Sequence, residues 1–321
     1  MMTEHDLVSV TVTYNPELLP LCAQLSALSA SCTKLIVDNG SNALCIKHLA
    51  ALPLKYPNLH LIFNSDNLGL ATAINQGVRA AHEINPHASL LLLLDQDTEP
   101  QPGSIETLIH AFAQLKTEGQ CVGAVGPLLR DVETGLTHGF HQCTHWRWRR
   151  VYPHPDAKKN PIPCANLNGS GTLMSIDIFL ELGGLDESLF IDHVDTEWSF
   201  RLLSRQLGLW GIPHAVFLHR MGQRSTRFWF FGWRLWPTRS PQRHYFLFRN
   251  AVWLMRRNYV PTVWKCWAVL KLAVTCIMHT LFGPQRNAQL KCMLSGIREQ
   301  PKIHAEKLSL HNNTSNNHET K

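Results

Sequence analysis

The chain has 321 residues and a mass of 36.4 kDa, with 45% hydrophobic and 17% charged residues. That length and composition exclude a disulfide miniprotein, a coiled coil and a wholly disordered chain, and suit one large or two modest globular domains. The formal charge of +6 hides an asymmetry: residues 1–197 carry 21 acids against 11 Lys/Arg, and residues 198–321 carry 3 against 19.

Nine cysteines without a CxxC pair, and no apolar run behind the polar start MMTEHD, point away from a zinc ribbon, a secretory signal and an oxidised scaffold. A reducing cytoplasm is the expected compartment. LVSVTVTY (7–14) reads as a buried strand, followed by a helical stretch over 17–30. KLIVDNG (34–40) and LHLIF (59–63) read as further strands, LATAINQGVRAAHEI (70–84) as a helix, and SLLLLLD (89–95) as a fourth strand. Strands alternating with helices predict an α/β fold, a mostly parallel sheet covered on both faces. Ligands of such sheets sit at the carboxyl ends of the strands. Polar residues gather there: Thr13, Tyr14 and Asn15; Asp38, Asn39 and Ser41; Asn64, Asp66 and Asn67; Asp95, Gln96 and Asp97. Asn39, Ser41 and Asn64 are equally at home as turn and cap residues. Neither a GxGxxG fingerprint after the first strand nor a GxxxxGK[ST] loop is present, which argues against a nicotinamide or P-loop enzyme. Residues 128–163, rich in His, Trp, Arg and Pro, read as an irregular insertion or hairpin. Alternation then returns, with a short strand over 172–174, helices over 176–182 and 195–206, and a strand ending at His219. The polar end, HNNTSNNHETK, reads as a disordered tail beginning near Leu308.

Three signals carry chemistry. In LLLLLDQDT an apolar strand delivers two carboxylates two residues apart, and in an extended segment such residues point the same way. Aimed at one point they suit a divalent cation held through oxygen. In FIDHVDTEW, Asp195 and Glu197 bracket a helix start, where the dipole favours carboxylates, and a carboxylate beside a metal could act as general base toward a hydroxyl. The choice among Asp195, Asp192 and Glu197 stays open at this level. In VFLHRMGQRS, His219 closes the last strand as a candidate metal ligand, and Arg220, Arg224 and Arg227 follow as candidate phosphate contacts.

The succession VTVTYN, IVDNGS, NLGLATAINQG, LLLLDQDT, NGSGTLMS, GGLDESLFIDHVDTEWSFR and LHRMG resembles the inverting family 2 glycosyltransferases of GT-A fold, and is similar in particular to the bacterial rhamnosyltransferases that assemble O-antigen and related surface polysaccharides, lipopolysaccharide included. The resemblance covers about residues 7–225. It implies that Thr13, Tyr14 and Asp38 line the nucleobase pocket, with Asp38 accepting from the pyrimidine. Asn67, Gly69 and Asn75 would border the nucleotide, Asp95 would lie near the ribose and diphosphate, and Arg224 would meet the nucleotide. Asp97 and His219 would hold Mg²⁺ or Mn²⁺, Asp195 would be the catalytic base, and Gly169, Ser170, Gly171 and Glu197 would face the acceptor. The implied donor is dTDP-L-rhamnose and the implied acceptor a glycan on a polyprenyl diphosphate lipid, with no role for nucleic acid. Another nucleotide sugar, or sugar nucleotidyl transfer, are the alternatives, and a non-catalytic binder has no use for a metal and a base.

From Trp198 to Arg298 there is no Asp or Glu, yet 16 Lys/Arg and eight of the ten Trp. Cations interleaved with aromatics suit an anionic bilayer surface. The longest uncharged stretch beyond residue 226, LAVTCIMHTLFGPQ (272–285), is too short to span a bilayer. The expectation is therefore three units: a GT-A domain over 1–225, a basic helical extension over 226–307 lying on the inner face of the cytoplasmic membrane, and a tail over 308–321. Trp229, Trp233, Trp236, Trp253, Trp264 and Trp267 are the candidate interface anchors. A packed helical subdomain with these tryptophans in its core is the competing expectation.

Overall fold

A computed structural model describes residues 6–153, 160–220, 225–229, 233–237 and 239–300, with backbone alone for 225–229 and 233–237. The five-leucine run makes strand β4 (Leu90–Asp95), which lies between β1 (Leu7–Thr13) and β11 (Leu173–Ser175). Beyond β1 come β2 (Thr33–Asn39) and β3 (Leu59–Asn64), all parallel to β4. Beyond β11 come β6 (Val122–Asp131), β12 (Gly208–His219) and β10 (Ile162–Cys164). The near-continuous burial of β1, β2 and β4 is what a parallel sheet covered on both faces demands. Helix α1 (Leu18–Ala27) follows β1, and α2 (Ala43–Ala50) follows β2. Helix α3 (Leu70–Ile84) lays Ala71, Ala73, Ile74, Val78 and Ala81 on β1 and β2. Gly77 permits the close approach, since a Cβ there would meet Val10 Cγ1 at 2.7 Å.

The sheet is mixed. Strand β11 runs antiparallel to both β4 and β6, while β12 runs parallel to β6. Two reversals cancel, so the carboxyl ends of β4 and β12 lie along one edge of the sheet. The short β5 (Thr98–Pro100) leaves β4's end and pairs antiparallel with the end of β12, setting Thr98 opposite His219. Helix α4 (Ser104–Thr117) then covers β6 and β12.

In the region expected to be an insertion, β7 (Thr137–His138) extends the sheet beside β6, and β8 (Phe140–Cys143) with β9 (Trp148–Val151) forms a hairpin. Helix α5 (Ile176–Glu181) leads to a single 3-10 turn over Glu187–Leu189, and α6 (Val194–Ser204) follows. After β12, strands β13 (Ser225–Trp229) and β14 (Trp233–Pro237) pair with one another.

Helices α7 (Pro241–Met255), α8 (Thr262–Leu281) and α9 (Arg286–Arg298) close the described chain. Trp253 and Trp264 are 6% and 3% exposed and belong to the same apolar core as Val8, Leu91 and Trp198. They are thus core residues and not interface anchors: a large apolar ring gains most where all its surface leaves water. Trp267 is partly exposed beside Trp148 of β9. The side chains of Trp229, Trp233 and Trp236, the whole of Arg224, and the expected tail lie outside the described residues.

Candidate active site

Asp95, Asp97 and His219 meet at the edge shared by β4 and β12, each offering a ligand atom within 4.8 Å of the others. Asp95 ends its strand and Asp97 sits in the turn after it, so their convergence comes from the turn and not from an extended i, i+2 pair. His219 Nδ1 lies 3.4 Å from Asp97 Oδ1 and 3.0 Å from Thr98 Oγ1. The Thr98 hydroxyl also bonds Ser170 Oγ, which accepts from the Asp95 amide at 3.4 Å. Beneath them Gln24, fully buried on α1, donates through Nε2 to the carbonyls of Asp95 and Thr98, both at 2.7 Å, and accepts from Thr11 Oγ1 at 2.8 Å. Burial pushes the Asp95 carboxyl up to about 6; His219 opposes that rise, and the charges of Asp97 and Asp195 reinforce it. Two carboxylates and an imidazole converging at one point are a donor set for a divalent ion.

The part of the rim expected to meet the nucleotide is tied together by its own polar residues. Asp38 is fully buried: Oδ1 accepts from Thr13 Oγ1 at 3.0 Å and Ser41 Oγ at 2.5 Å, and Oδ2 accepts from Ser41 N at 3.0 Å. Tyr14 is half exposed, its peptide N–H donating to Gln96 Oε1 at 2.8 Å. Asn67 Oδ1 accepts from Asn39 Nδ2 and from the Gly69 N–H, both at 3.0 Å. Gly69 has φ +91°, and a Cβ on it would sit 2.6 Å from the Phe190 ring. Asn75, expected to border the nucleotide, is buried and fully engaged: it donates to the Leu185 carbonyl and to Glu187 Oε1, both at 2.9 Å, and accepts from Leu185 N at 2.8 Å.

The turn carrying Gly169, Ser170 and Gly171, expected to face the acceptor, is anchored to β4 by Gly171 N donating to the Leu93 carbonyl at 2.7 Å. Gly171 has φ +80°, and a Cβ would strike Pro127 at 2.5 Å. Facing Gly169 is Asp195, in the first turn of α6. Burial raises its pKa, against the lowering effect of the N–H groups of Thr196 and Gly169. Thr196 N donates to Asp195 Oδ1 at 2.8 Å.

The three candidate bases separate cleanly. Glu197, expected at the acceptor surface, is corrected to an internal ion-pair hub. It is 1% exposed and accepts from Arg201 Nε at 3.0 Å, Arg257 at 2.9 Å and Tyr259 Oη at 2.5 Å. Two residues along a helix are ~200° apart, so Glu197 points away from the edge that Asp195 faces. Asp192 accepts from Arg243 Nε at 3.2 Å and Nη2 at 3.3 Å. Asp195 alone of the three has no ion pair among the described residues. Arg220, a candidate phosphate contact, pairs with Glu17 at 2.5 Å.

Sequence reasoning missed the residues that hold this loop. Phe190, Asp192 and His193 all have φ near +60° (61°, 62° and 62°), a conformation unfavourable for residues other than glycine. Asn250 of α7, fully buried, donates through Nδ2 to the carbonyls of Leu189 (2.6 Å), Ile191 (2.7 Å) and Asp192 (2.9 Å). Arg249 adds a bond to the Ser188 carbonyl at 2.7 Å. A polar pair amid the apolar spacing of α7 was the only signal available.

The sequence model of the family described as Glycosyl transferase family 2 matches residues 11–183, which takes in the rim from Thr13 to Gly171 and stops short of Asp195 and His219. The dTDP-rhamnosyl transferase RfbF of Shigella flexneri is 30% identical over 286 residues, covering 88% of this chain and 90% of the relative. The N-acetylglucosaminyl-diphospho-decaprenol L-rhamnosyltransferase of Mycobacterium tuberculosis is 27% identical over 244 residues, covering 69% and 77%. Among solved structures, GalNAc-T7 with UDP, GalNAc and Mn²⁺ matches with a TM-score of 0.59 at 17% identity, over 90% of this chain and 54% of that longer one. S. aureus TarS 1-349 in complex with UDP-GlcNAc matches with a TM-score of 0.54 at 10% identity, over 91% and 81%. The fold is GT-A.

Proposed function

The chain belongs to glycosyl transferase family 2 and is a glycosyltransferase, and from that premise we propose that it transfers L-rhamnose from dTDP-L-rhamnose to a hydroxyl of a lipid-linked glycan, inverting the anomeric carbon in one displacement. Two rhamnosyltransferases among its relatives, one of them named for a diphospho-decaprenol acceptor, support that donor and that class of acceptor. The observation that carries the chemistry is the meeting of Asp95, Asp97 and His219 at one edge, with Asp195 opposite Gly169 beside them.

The donor set fits Mg²⁺ or Mn²⁺, which Asp97 and His219 would hold with Asp95 alongside. When bound, such an ion would supply positive charge to the departing nucleoside diphosphate, which would then need no proton. Thr98 and Gln24 fix the turn that carries Asp95 and Asp97. Asp195 takes the proton of the attacking hydroxyl as that oxygen bonds the anomeric carbon opposite the breaking bond. A raised pKa suits the task, because a stronger base is a better acceptor at neutral pH. Thr13, Tyr14 and Asp38 would wall the nucleobase, and Ser170 and its flanking glycines would border the acceptor. The site of action is the inner face of the cytoplasmic membrane, with the enzyme peripheral; among the described residues no helix is long and apolar enough to cross a bilayer.

Asp195→Asn tests the base. Donor binding measured by calorimetry should be unchanged, while transfer should fall by ~10²–10⁴. Transfer at wild-type speed would remove Asp195 from the role. A chelator series across a panel of nucleotide sugars reports metal need and donor choice together.

A further inference from the structure

Helices α8 and α9 each bury one side and leave an apolar side in water. On α8 the buried side is Trp264, Ala268, Thr275 and His279. The opposite side, at helical spacing, is Leu270 (63% exposed), Val274, Ile277 (53%) and Leu281 (55%), with Phe282 (72%) just beyond the helix end. On α9 the exposed residues at the same spacing are Leu290, Leu294 and Ile297. A stripe of aliphatic side chains this long costs solubility unless something covers it. Its surroundings are cationic through Arg286, Lys291 and Arg298 of α9, whereas on α8 Lys265 is turned to the Arg257 carbonyl at 2.8 Å and Lys271 to the Trp267 ring; no acid lies between Thr262 and Arg298.

We propose that the exposed aliphatic side of α8 and α9 is a docking surface for an anionic lipid bilayer, into whose headgroup region Leu270, Ile277 and Leu281 insert while Arg286, Lys291 and Arg298 meet lipid phosphates. Charge selects this occupant over a second copy of the chain, because a symmetric pairing would bring two acid-free, basic faces together. Aliphatic residues take the part expected of the tryptophans, two of which the core has consumed. The same helix links the surface to the chemistry. Trp264, on the buried side of α8, stands edge-on to His193 with ring centroids 5.6 Å apart, and Asp195 follows two residues later. One helix diameter, on the order of 10 Å, thus separates the bilayer-facing side from the loop that carries the base. The surface rests on the lipid-linked acceptor reading for its purpose but not on the identity of the sugar.

The test uses the full chain and sedimentation with vesicles of phosphatidylcholine, with and without phosphatidylglycerol. Binding should require the anionic lipid and weaken with salt. The variant Leu270→Ser/Ile277→Ser/Leu281→Ser should lose at least about tenfold in partitioning, with its urea midpoint and its transfer to a water-soluble acceptor analogue unchanged. Wild-type binding by the triple variant, or no vesicle binding by the parent, would overturn the proposal. A dimer in light scattering that the triple variant converts to monomer would overturn it too, reassigning the face to a second copy. Vesicle binding together with no transfer to any lipid-linked acceptor would instead count against the function proposed above and leave this surface standing.

Discussion

Thr98 shows how a small hydroxyl can set a larger geometry. It touches His219 Nδ1 and Ser170 Oγ at once, and its carbonyl is held by Gln24. Residues that orient a metal ligand typically contribute ~10–100-fold to metal affinity or activity. Thr98→Val keeps the shape and removes both hydroxyl contacts, so the Mn²⁺ concentration for half-maximal transfer should rise by about that factor with the circular dichroism spectrum unchanged; an unaltered metal titration would show that His219 needs no such support. The five-leucine strand made Asp95 and Asp97 visible in the sequence, but nothing near them in order announced Thr98 or Gln24. Their partners lie up to 121 residues away. The same limit kept Asp192, Asp195 and Glu197 level as candidate bases. What separated them is that Asp195 and Glu197 point to different sides of α6, and that Glu197 and Asp192 each meet an arginine while Asp195 has no ion pair among the described residues.

The loop before α6 is an element held open by another element. Three residues of positive φ in sequence-distant contact with α7 store strain of order ~1–3 kcal/mol each, and Asn250 offsets part of it by sharing the two hydrogens of its amide among three carbonyls. Asn250→Ala removes the donor to the Ile191 and Asp192 carbonyls, while the Leu189 carbonyl keeps the Ile191 N–H and Arg249, and should destabilise the fold by ~1–3 kcal/mol in urea titration. Because the loop leads directly into Asp195, kcat should fall while the KM for the donor stays near the parent value. A proportional change in both, or in neither, would mean the clamp serves stability alone. Helices α1, α3, α5 and α6 were legible from the sequence, as were the first four strands, whereas α2 and α4 were not read. The antiparallel β11 was legible as a strand but not as a reversal, since direction in a sheet depends on neighbours chosen by packing.

At the scale of the molecule, the α/β sheet and helices α7 and α8 share one core, in which Trp253, Leu254, Val260 and Trp264 stand beside residues of β1, β2 and β4. Titration of the interior follows from that burial. Burial chiefly holds His138, His141, His193 and His279 at about 4, below the ordinary value of about 6.5. The folded state therefore binds fewer protons than the unfolded one, and stability present above about pH 6.5 is lost as pH falls toward about 4. The raised carboxyls of Asp95 and Asp195 act in the opposite sense, but four histidines outweigh two acids. The urea midpoint should drop between about pH 7 and about pH 5; a flat profile would contradict the burial of these rings.

Local order along the chain was enough to specify the alternation of strands and helices, the polar rim at the strand ends, the pair Asp95 and Asp97, and the segregation of positive charge into the last third, because each is a property of neighbours within a few residues. Convergence was decided elsewhere. His219 reaches Asp97 only because β5 folds back on β12, Glu197 turns inward because a helix rotates by 100° per residue, and Trp253 and Trp264 leave the surface because α7 packs on α9 and on the loop before α6, and α8 on α6 and that loop. Such pairings join residues as distant in order as Asp97 and His219, and burial free energy summed over the whole core, not any local preference, selects among them.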